Sequence, residues 1–248
     1  MIKKVYLIGM GPGDKKYLTL EAVELIKRLN LFLIPGKTGR KKELSEIRRD
    51  ILRAVRGEQG YRILELEFPE RKKSPKYKES VREWRLKKLE VLKQVVLRED
   101  EEEAGFLIWG DPSIYDGHMF IFNELSKELG IEFKVVPGIS AFQVLSSAHR
   151  VALTDVAESL IFTTPRGIKK ALEDYHSVVV FLDNYESYKR LEEDVTIYWG
   201  AYLGTEKQVV LSGRLRDVVE EITNLRRELR KKFGWIMELY FLKKEAKD

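Results

Sequence analysis

Apolar positions recur along this chain in two rhythms. Short runs at Val5–Ile8, Leu31–Ile34, Arg62–Phe68, Gly105–Trp109 and Phe133–Val136 predict strands through the first half. Helical spacing fills the intervals. Leu20, Val23, Ile26 and Leu29 form one stripe behind Thr19, a suitable N-cap. Val81, Trp84, Leu89, Leu92 and Val95 form a second, on a long charged helix that ends in the acidic run Glu99–Glu103. Met119, Phe122, Leu125 and Leu129 form a third, closed by Gly130 at a C′ position. Alternating strands and helices predict an α/β unit with a mainly parallel sheet.

The second half keeps the strands and thins the helices. Ser159–Thr163, Val178–Leu182, Thr196–Trp199, Gln208–Leu211 and Trp235–Leu242 read as strands, with helices at Gly167–Asp174 and Val218–Lys231. The last strands lie close together, as antiparallel hairpins do, so this half predicts a second α/β domain with a mixed sheet. The rhythm changes near 145–155, around a helix at Ala141–His149. The expected domains are therefore 1–148 and 149–248. No internal repeat or low-complexity segment interrupts the pattern.

Composition narrows the class. Of 248 residues, 44% are apolar, enough for a buried core, yet no apolar run reaches the ~18–20 residues of a membrane span. Met1-Ile2-Lys3-Lys4 runs straight into a strand without a cleavage site, so a cytoplasmic enzyme with no membrane partner is expected. With no cysteine, disulfides, thiolate nucleophiles and cysteine metal sites are excluded. The net charge of +5 raises the possibility of a nucleic-acid module. The basic residues, however, mostly alternate with acids on helical faces, as in Arg82-Glu83 and Lys87-Lys88-Leu89-Glu90, the pattern of a solvated surface. A modest positive bias also suits a polycarboxylate substrate.

Three motifs carry candidate chemistry. Gly9-Met10-Gly11-Pro12-Gly13-Asp14 follows the first strand, and its glycines allow a tight turn and close ligand approach. It has neither the third glycine of a dinucleotide fingerprint nor the Gly-Lys-Ser/Thr end of a phosphate loop. The acids that a Rossmann-like methyltransferase carries before its glycines and after its second strand are also absent, the positions reading Leu7-Ile8 and Ile34-Pro35-Gly36. Trp109–Asp116 ends the fourth strand, where open α/β sheets place ligands. Val136-Pro137-Gly138-Ile139-Ser140-Ala141 ends the fifth and opens a helix, with Ser140 as N-cap.

Together these motifs, in this order and near this spacing, resemble the tetrapyrrole methylases. The resemblance runs on through Gly204-Thr205-Glu206-Lys207-Gln208 and Ser212-Gly213 and covers nearly the whole chain. It implies a two-domain α/β fold, with a mainly parallel N-terminal sheet, a mixed C-terminal sheet and the active site in the cleft between them. It also implies S-adenosylmethionine as methyl donor, leaving S-adenosylhomocysteine, and a tetrapyrrole substrate. Within the family, Trp109–Asp116, Ser147–Arg150, Leu160–Thr164, Val180–Asp183, Phe32–Lys37 and Lys41–Leu44 resemble the branch that methylates precorrin-5 at ring position 1 and expels a two-carbon fragment as acetic acid in cobalamin biosynthesis. Rival readings are another precorrin methyltransferase, diphthine synthase, or the nucleic-acid module.

The resemblance implies a cofactor site of Pro12, Gly110, Asp111, Ile114, Ser140 and Ala141 from the first domain and its boundary. Leu182, Leu203 and Gly213 complete it from the second, largely through backbone groups; relatives often carry Met at the Leu182 position. Methyl transfer from a sulfonium needs mainly positioning and exclusion of water, so neither a metal nor a triad is expected. Deacetylation additionally needs a base and oxyanion donors. Asp183, Tyr115 and His149 are the leading candidates, with His118, Asp116 and Asp14 near the same strand ends and His176 read as a surface residue. Asp14, Arg40, Lys41 and Lys42 are candidates for meeting the substrate and its carboxylates. By analogy the partner is a second copy of the chain, in a homodimer.

Overall fold

The computed structural model describes residues 1–36, 42–71 and 74–244, and the side chains of Lys42 and Tyr77 lie outside that description. The chain divides into two compact units, Met1–Ile139 and Ser140–Asp248.

In the first unit five parallel strands form one sheet in the order β3-β2-β4-β1-β5. They span Lys4–Gly9 (β1), Leu31–Pro35 (β2), Arg62–Leu66 (β3), Glu103–Ile108 (β4) and Glu132–Val136 (β5). Strand alternation sorts the side chains to two faces. Val5, Leu7, Leu33, Phe106 and Ile108 pack against Leu89 and Leu92 of α3 (Tyr77–Arg98) and Phe122 and Leu125 of α4 (His118–Leu129). Tyr6, Ile8, Phe32, Ile34 and Leu107 pack against Ala22 and Ile26 of α1 (Leu20–Arg28) and Ile51 and Leu52 of α2 (Lys42–Arg56). The caps expected from sequence are present. Thr19 accepts from Ala22 N–H at 3.2 Å, and Gly130 ends α4 in the left-handed region at φ 69°. Helix α2 has no counterpart among the elements expected from sequence, and Lys42, a candidate substrate contact, is its first residue. Arg40 and Lys41 lie outside the described residues.

The second unit holds a mixed sheet in the order β6-β7-β10-β8-β9. Its strands are Leu160–Thr163 (β6), Ser177–Val180 (β7), Val195–Ala201 (β8), Val209–Arg214 (β9) and Glu238–Lys244 (β10). Only β6 and β7 pair in parallel; β10 is antiparallel to both β7 and β8. Consequently β6, β7 and β8 all point the same way. One face is covered by α6 (Ile168–Asp174) and α7 (Leu215–Phe233), through Leu172, Ile222 and Leu229. Helix α5 (Ala141–His149) packs on β8, β9 and β10 with Val144 and Leu145 buried, so it belongs to this unit. The division thus falls ahead of α5 rather than at 148/149. Among the described residues no helix is long and apolar enough to cross a membrane.

Candidate functional site

The three glycine-bearing motifs follow β1, β4 and β5, which are neighbours in the sheet, so all three loops meet at its carboxyl edge. Backbone packing there is close. Gly11 and Gly110 exchange two main-chain hydrogen bonds, at 3.2 and 2.9 Å. A Cβ on Gly138 would stand 2.2 Å from the Gly110 carbonyl oxygen, and one on Gly9 would stand 2.6 Å from Gly138 N. Gly9 and Gly138 are therefore glycine so that three strand ends can converge. Gly110 differs. It sits at φ +66° with nothing within 4 Å of a notional Cβ, so its backbone borders open space.

Asp111 ties the loops together. Its Oδ2 accepts from Gly138 N–H at 2.8 Å, and its Oδ1 accepts from Ser113 N–H at 2.8 Å and from the Ser113 hydroxyl. Both carboxylate oxygens are thus engaged in holding the edge together. Asp14 is likewise engaged, accepting from Lys16 N–H at 2.9 Å at the start of a short 3-10 turn. Pro12 is buried beside the Gly11–Gly110 bridge, and Ile114 is half-buried. The residue after it, Tyr115, is 48% exposed and held at φ 51°.

Beneath this loop lies a buried polar cluster. Asp116 accepts from His118 N–H at 2.7 Å and from His118 Nδ1 at 2.9 Å, while His118 Nε2 is buried without a hydrogen-bond partner. Arg48 reaches from α2 to the Leu107 carbonyl at 3.1 Å and is lowered to about 10 by burial, so it stays charged at neutral pH. Burial pushes His118 below its ordinary value, Lys88 and Arg48 push the same way, and only Asp116 opposes them. The unfolded chain, with a histidine near 6.5, then binds more protons than the folded one as pH falls below that value. Stability conferred by the neutral imidazole is complete above about pH 6.5 and lost as pH drops toward the depressed folded value. Urea midpoints should fall between pH 7 and about 5.5. His118→Asn, which keeps a donor toward Asp116, should flatten that slope; an unchanged slope in the variant would refute the account.

The second unit also gathers residues at one edge. Leu182 follows β7 at φ 60° and is 61% exposed; Tyr202 follows β8 at φ 50° and leads into buried Leu203 and Gly204 at φ 77°. Left-handed Leu and Tyr residues are strained, and such strain concentrates at functional sites. The Gly204–Gln208 turn is closed by Gly204 N–H donating to Gln208 Oε1 at 2.9 Å and by the Thr205 hydroxyl donating to the Tyr202 carbonyl at 2.7 Å. Ser140 is buried as the cap of α5, its N–H donating to Gln143 Oε1 at 2.8 Å, with Ala141 as the first helical residue. Gly213 does not join this group. It pairs with Ile197, whereas Val209 pairs with Ala201 at the edge, which sets Gly213 four residues, roughly 13 Å, down the strand. Its missing side chain is explained by Val218 Cγ1, 2.6 Å from a notional Cβ. Gly204, on the Leu182 edge, is the glycine that sequence reasoning passed over; its Gly-Thr-x-x-Gln turn was the available signal.

The two remaining catalytic candidates are structurally occupied. Asp183 is buried and accepts four hydrogen bonds, from Tyr185 N–H, the Ser187 hydroxyl, Ser187 N–H and the Tyr240 hydroxyl, at 2.9, 3.1, 2.7 and 2.7 Å. His149 Nε2–H donates to the Trp199 carbonyl at 3.0 Å, pinning the end of α5 to β8, and burial lowers its basicity. His176 is exposed, as expected.

Among the described residues, each of the two α/β units presents strained or glycine-bearing loops at the ends of like-directed strands. The chain belongs to the tetrapyrrole (corrin/porphyrin) methylases, whose family model matches residues 4–219. It is 34% identical over 252 aligned residues to a deacetylating precorrin-6A synthase from Sinorhizobium sp., covering 99% of this chain and 97% of that one. Its fold is similar to that of a cobalamin-synthesis-related protein from Corynebacterium diphtheriae, with TM-score 0.83, 28% identity and coverage of 99% and 100%. A Thermus thermophilus uroporphyrin-III C-methyltransferase, solved with S-adenosylhomocysteine, shares the fold at TM-score 0.56 and 20% identity over 97% of this chain and 92% of that one.

Proposed function

We propose that this chain methylates precorrin-5 at ring position 1 and releases the extruded two-carbon fragment as acetate, giving precorrin-6A in cobalamin biosynthesis. The observation that supports this most is the end-to-end 34% identity with the Sinorhizobium enzyme of that specificity. S-adenosylmethionine supplies the electrophilic methyl group. The residues fit such a ligand: open space beside the Gly110 backbone and the left-handed Leu182 and Tyr202 present main-chain groups and apolar surface rather than charge. Pro12, Gly110, Asp111, Ile114, Ser140, Ala141, Leu182 and Leu203 are the proposed cofactor contacts, with Gly204 in place of Gly213.

In the deacetylating step water adds to the acyl carbonyl and yields a proton to a base, the ring carbon–acyl bond breaks to release acetic acid, and the electron pair of that bond stays with the conjugated ring. Of the three candidates, Tyr115 has the exposed side chain. Burial raises its pKa, so it is protonated at neutral pH and suited to donate to the developing oxyanion. His149 keeps only Nδ1 for a proton, because Nε2–H is engaged. Asp14, Arg40, Lys41 and Lys42 stand as proposed substrate contacts. A cytoplasmic homodimer completes the proposal, to be checked by sedimentation.

The direct test is incubation with precorrin-5 and labelled cofactor, followed by mass analysis of the pigment and an acetate assay. Methylation without acetate would leave only the family-level activity, and no label transfer would sink the reading. Gly110→Ala supplies a sharper test of the cofactor position. Its left-handed backbone costs about 1–2 kcal/mol with an alanine, yet no protein atom meets the new Cβ. The fold should survive while affinity for S-adenosylhomocysteine, measured by calorimetry, falls at least about tenfold, the effect of a lost contact near 1.4 kcal/mol. Unchanged affinity would remove Gly110 from the site.

A further inference from the structure

We infer that Arg85, with Phe120 and the Gly117 backbone, is a subsite for a carboxylate-bearing side chain of the tetrapyrrole substrate. The inference rests on the tetrapyrrole reading above and assigns it a place. Arg85 projects from α3 onto the first turn of α4. Its guanidinium carbon lies 5.2 Å from the centre of the Phe120 ring. Its Nε stands 3.1 Å from where a Cβ on Gly117 would be, so the guanidinium lies across a backbone left bare of side chain. Gly117 caps α4 directly after the β4 loop, two residues past exposed Tyr115, which puts Arg85 at the carboxyl edge of the sheet.

Two features mark this arginine as a receptor rather than a solubilising charge. First, it is half-buried yet has no carboxylate within ion-pair distance among the described residues. Farther along the same helix pair, Lys93 of α3 meets Glu128 of α4 at 2.7 Å, so the seam does pair its charges away from the edge. Second, its aromatic neighbour Phe120 is 41% exposed. An arginine held over a ring still offers N–H groups in the fork that a carboxylate accepts. An exposed ring next to it offers apolar surface to a macrocycle. A flat pigment edged with carboxylates matches both halves of this pair.

The test uses the whole protein and two readouts. Arg85→Gln should raise KM for precorrin-5 on the order of tenfold to a hundredfold, the scale of a lost charge-assisted hydrogen bond. Its kcat, melting temperature and affinity for S-adenosylhomocysteine should stay near wild type, and Arg85→Lys should recover part of the loss. Uroporphyrin, a polycarboxylate tetrapyrrole that the protein need not turn over, provides the second readout through fluorescence quenching. Its binding should weaken in Arg85→Gln by a similar factor. If wild type transfers methyl groups but Arg85→Gln keeps its KM and its uroporphyrin affinity within twofold, the subsite is wrong and the functional reading stands. If wild type transfers none to precorrin-5 yet uroporphyrin binding depends on Arg85, the reading fails and the subsite stands. No uroporphyrin binding by wild type, or an equal drop in cofactor affinity with Arg85→Gln, overturns the proposal.

Discussion

Gly138→Ala should be among the most destabilising single-methyl additions available to this chain, by about 3 kcal/mol or more. The new Cβ would stand 2.2 Å from the Gly110 carbonyl oxygen and 2.9 Å from both Gly9 C and Gly9 Cα. Overpacking usually costs about 1–3 kcal/mol, because side chains can turn aside. Here every clashing atom is main chain belonging to two neighbouring strand ends, and neither can retreat without breaking the sheet. Gly110 is additionally held by its hydrogen bonds to Gly11. Against a total stability of about 5–15 kcal/mol for a typical domain, such a loss is severe. It should show as a lower urea midpoint with an unchanged slope. Gly110→Ala should cost markedly less, since it carries only the left-handed penalty. If Gly138→Ala melted within 1 kcal/mol of wild type, or if Gly110→Ala were the worse of the two, the convergence of three glycine-bearing loops would not be what fixes this edge.

That contrast shows where sequence was informative and where it was not. The ten strands were legible because each carries a compact apolar run, and shifts of one to three residues at their ends, the largest at β9 and β10, reflect pairing partners that periodicity cannot see. Lys4 and Glu103 enter their strands because they pair with each other across β1 and β4. Helix α2 falls in a stretch where no element is expected from sequence: Leu44, Ile47, Ile51, Leu52 and Val55 carry a helical stripe, but it is set in dense charge behind a basic run. The motifs were located correctly as strand-end loops, yet their glycines could not be sorted. Whether the Cβ position of a glycine is open space, as at Gly110, or is taken by another backbone, as at Gly9 and Gly138, depends on contacts between segments far apart in the chain. Gly213 was drawn into the site by its motif; antiparallel pairing places it at the far end of its strand. Likewise a conspicuous aspartate after a strand reads as reactive until its hydrogen-bond partners are counted.

Asp183 is the sharpest such case, and its replacement should act on stability before chemistry. A carboxylate offers about four acceptor sites, and Asp183 has four donors on them. The loop it closes is held again by Glu186, 3.7 Å from Arg226 of α7, which in turn meets buried Glu238 at 2.6 Å. The Tyr240 hydroxyl beside Asp183 is raised well above its ordinary range by burial and by that carboxylate, so it remains a donor. Asp183→Ala would leave two backbone N–H groups and two hydroxyls without their acceptor in a buried setting. Each orphaned group costs about 1–3 kcal/mol, partly recovered where water enters, so a loss of about 3–5 kcal/mol is expected. Leu182, one residue earlier and strained at φ 60°, should relax with the loop, and cofactor affinity should fall with it. Asp183→Asn is the informative companion. It preserves shape but turns one acceptor into a donor facing either Ser187 N–H or Tyr185 N–H, so it too should melt early. Methyl transfer and acetate release should then decline together, in step with the folded, cofactor-competent fraction. A variant that melts within 1 kcal/mol of wild type, methylates normally and retains the acetyl group would make Asp183 the base after all and would overturn the positioning role assigned to it.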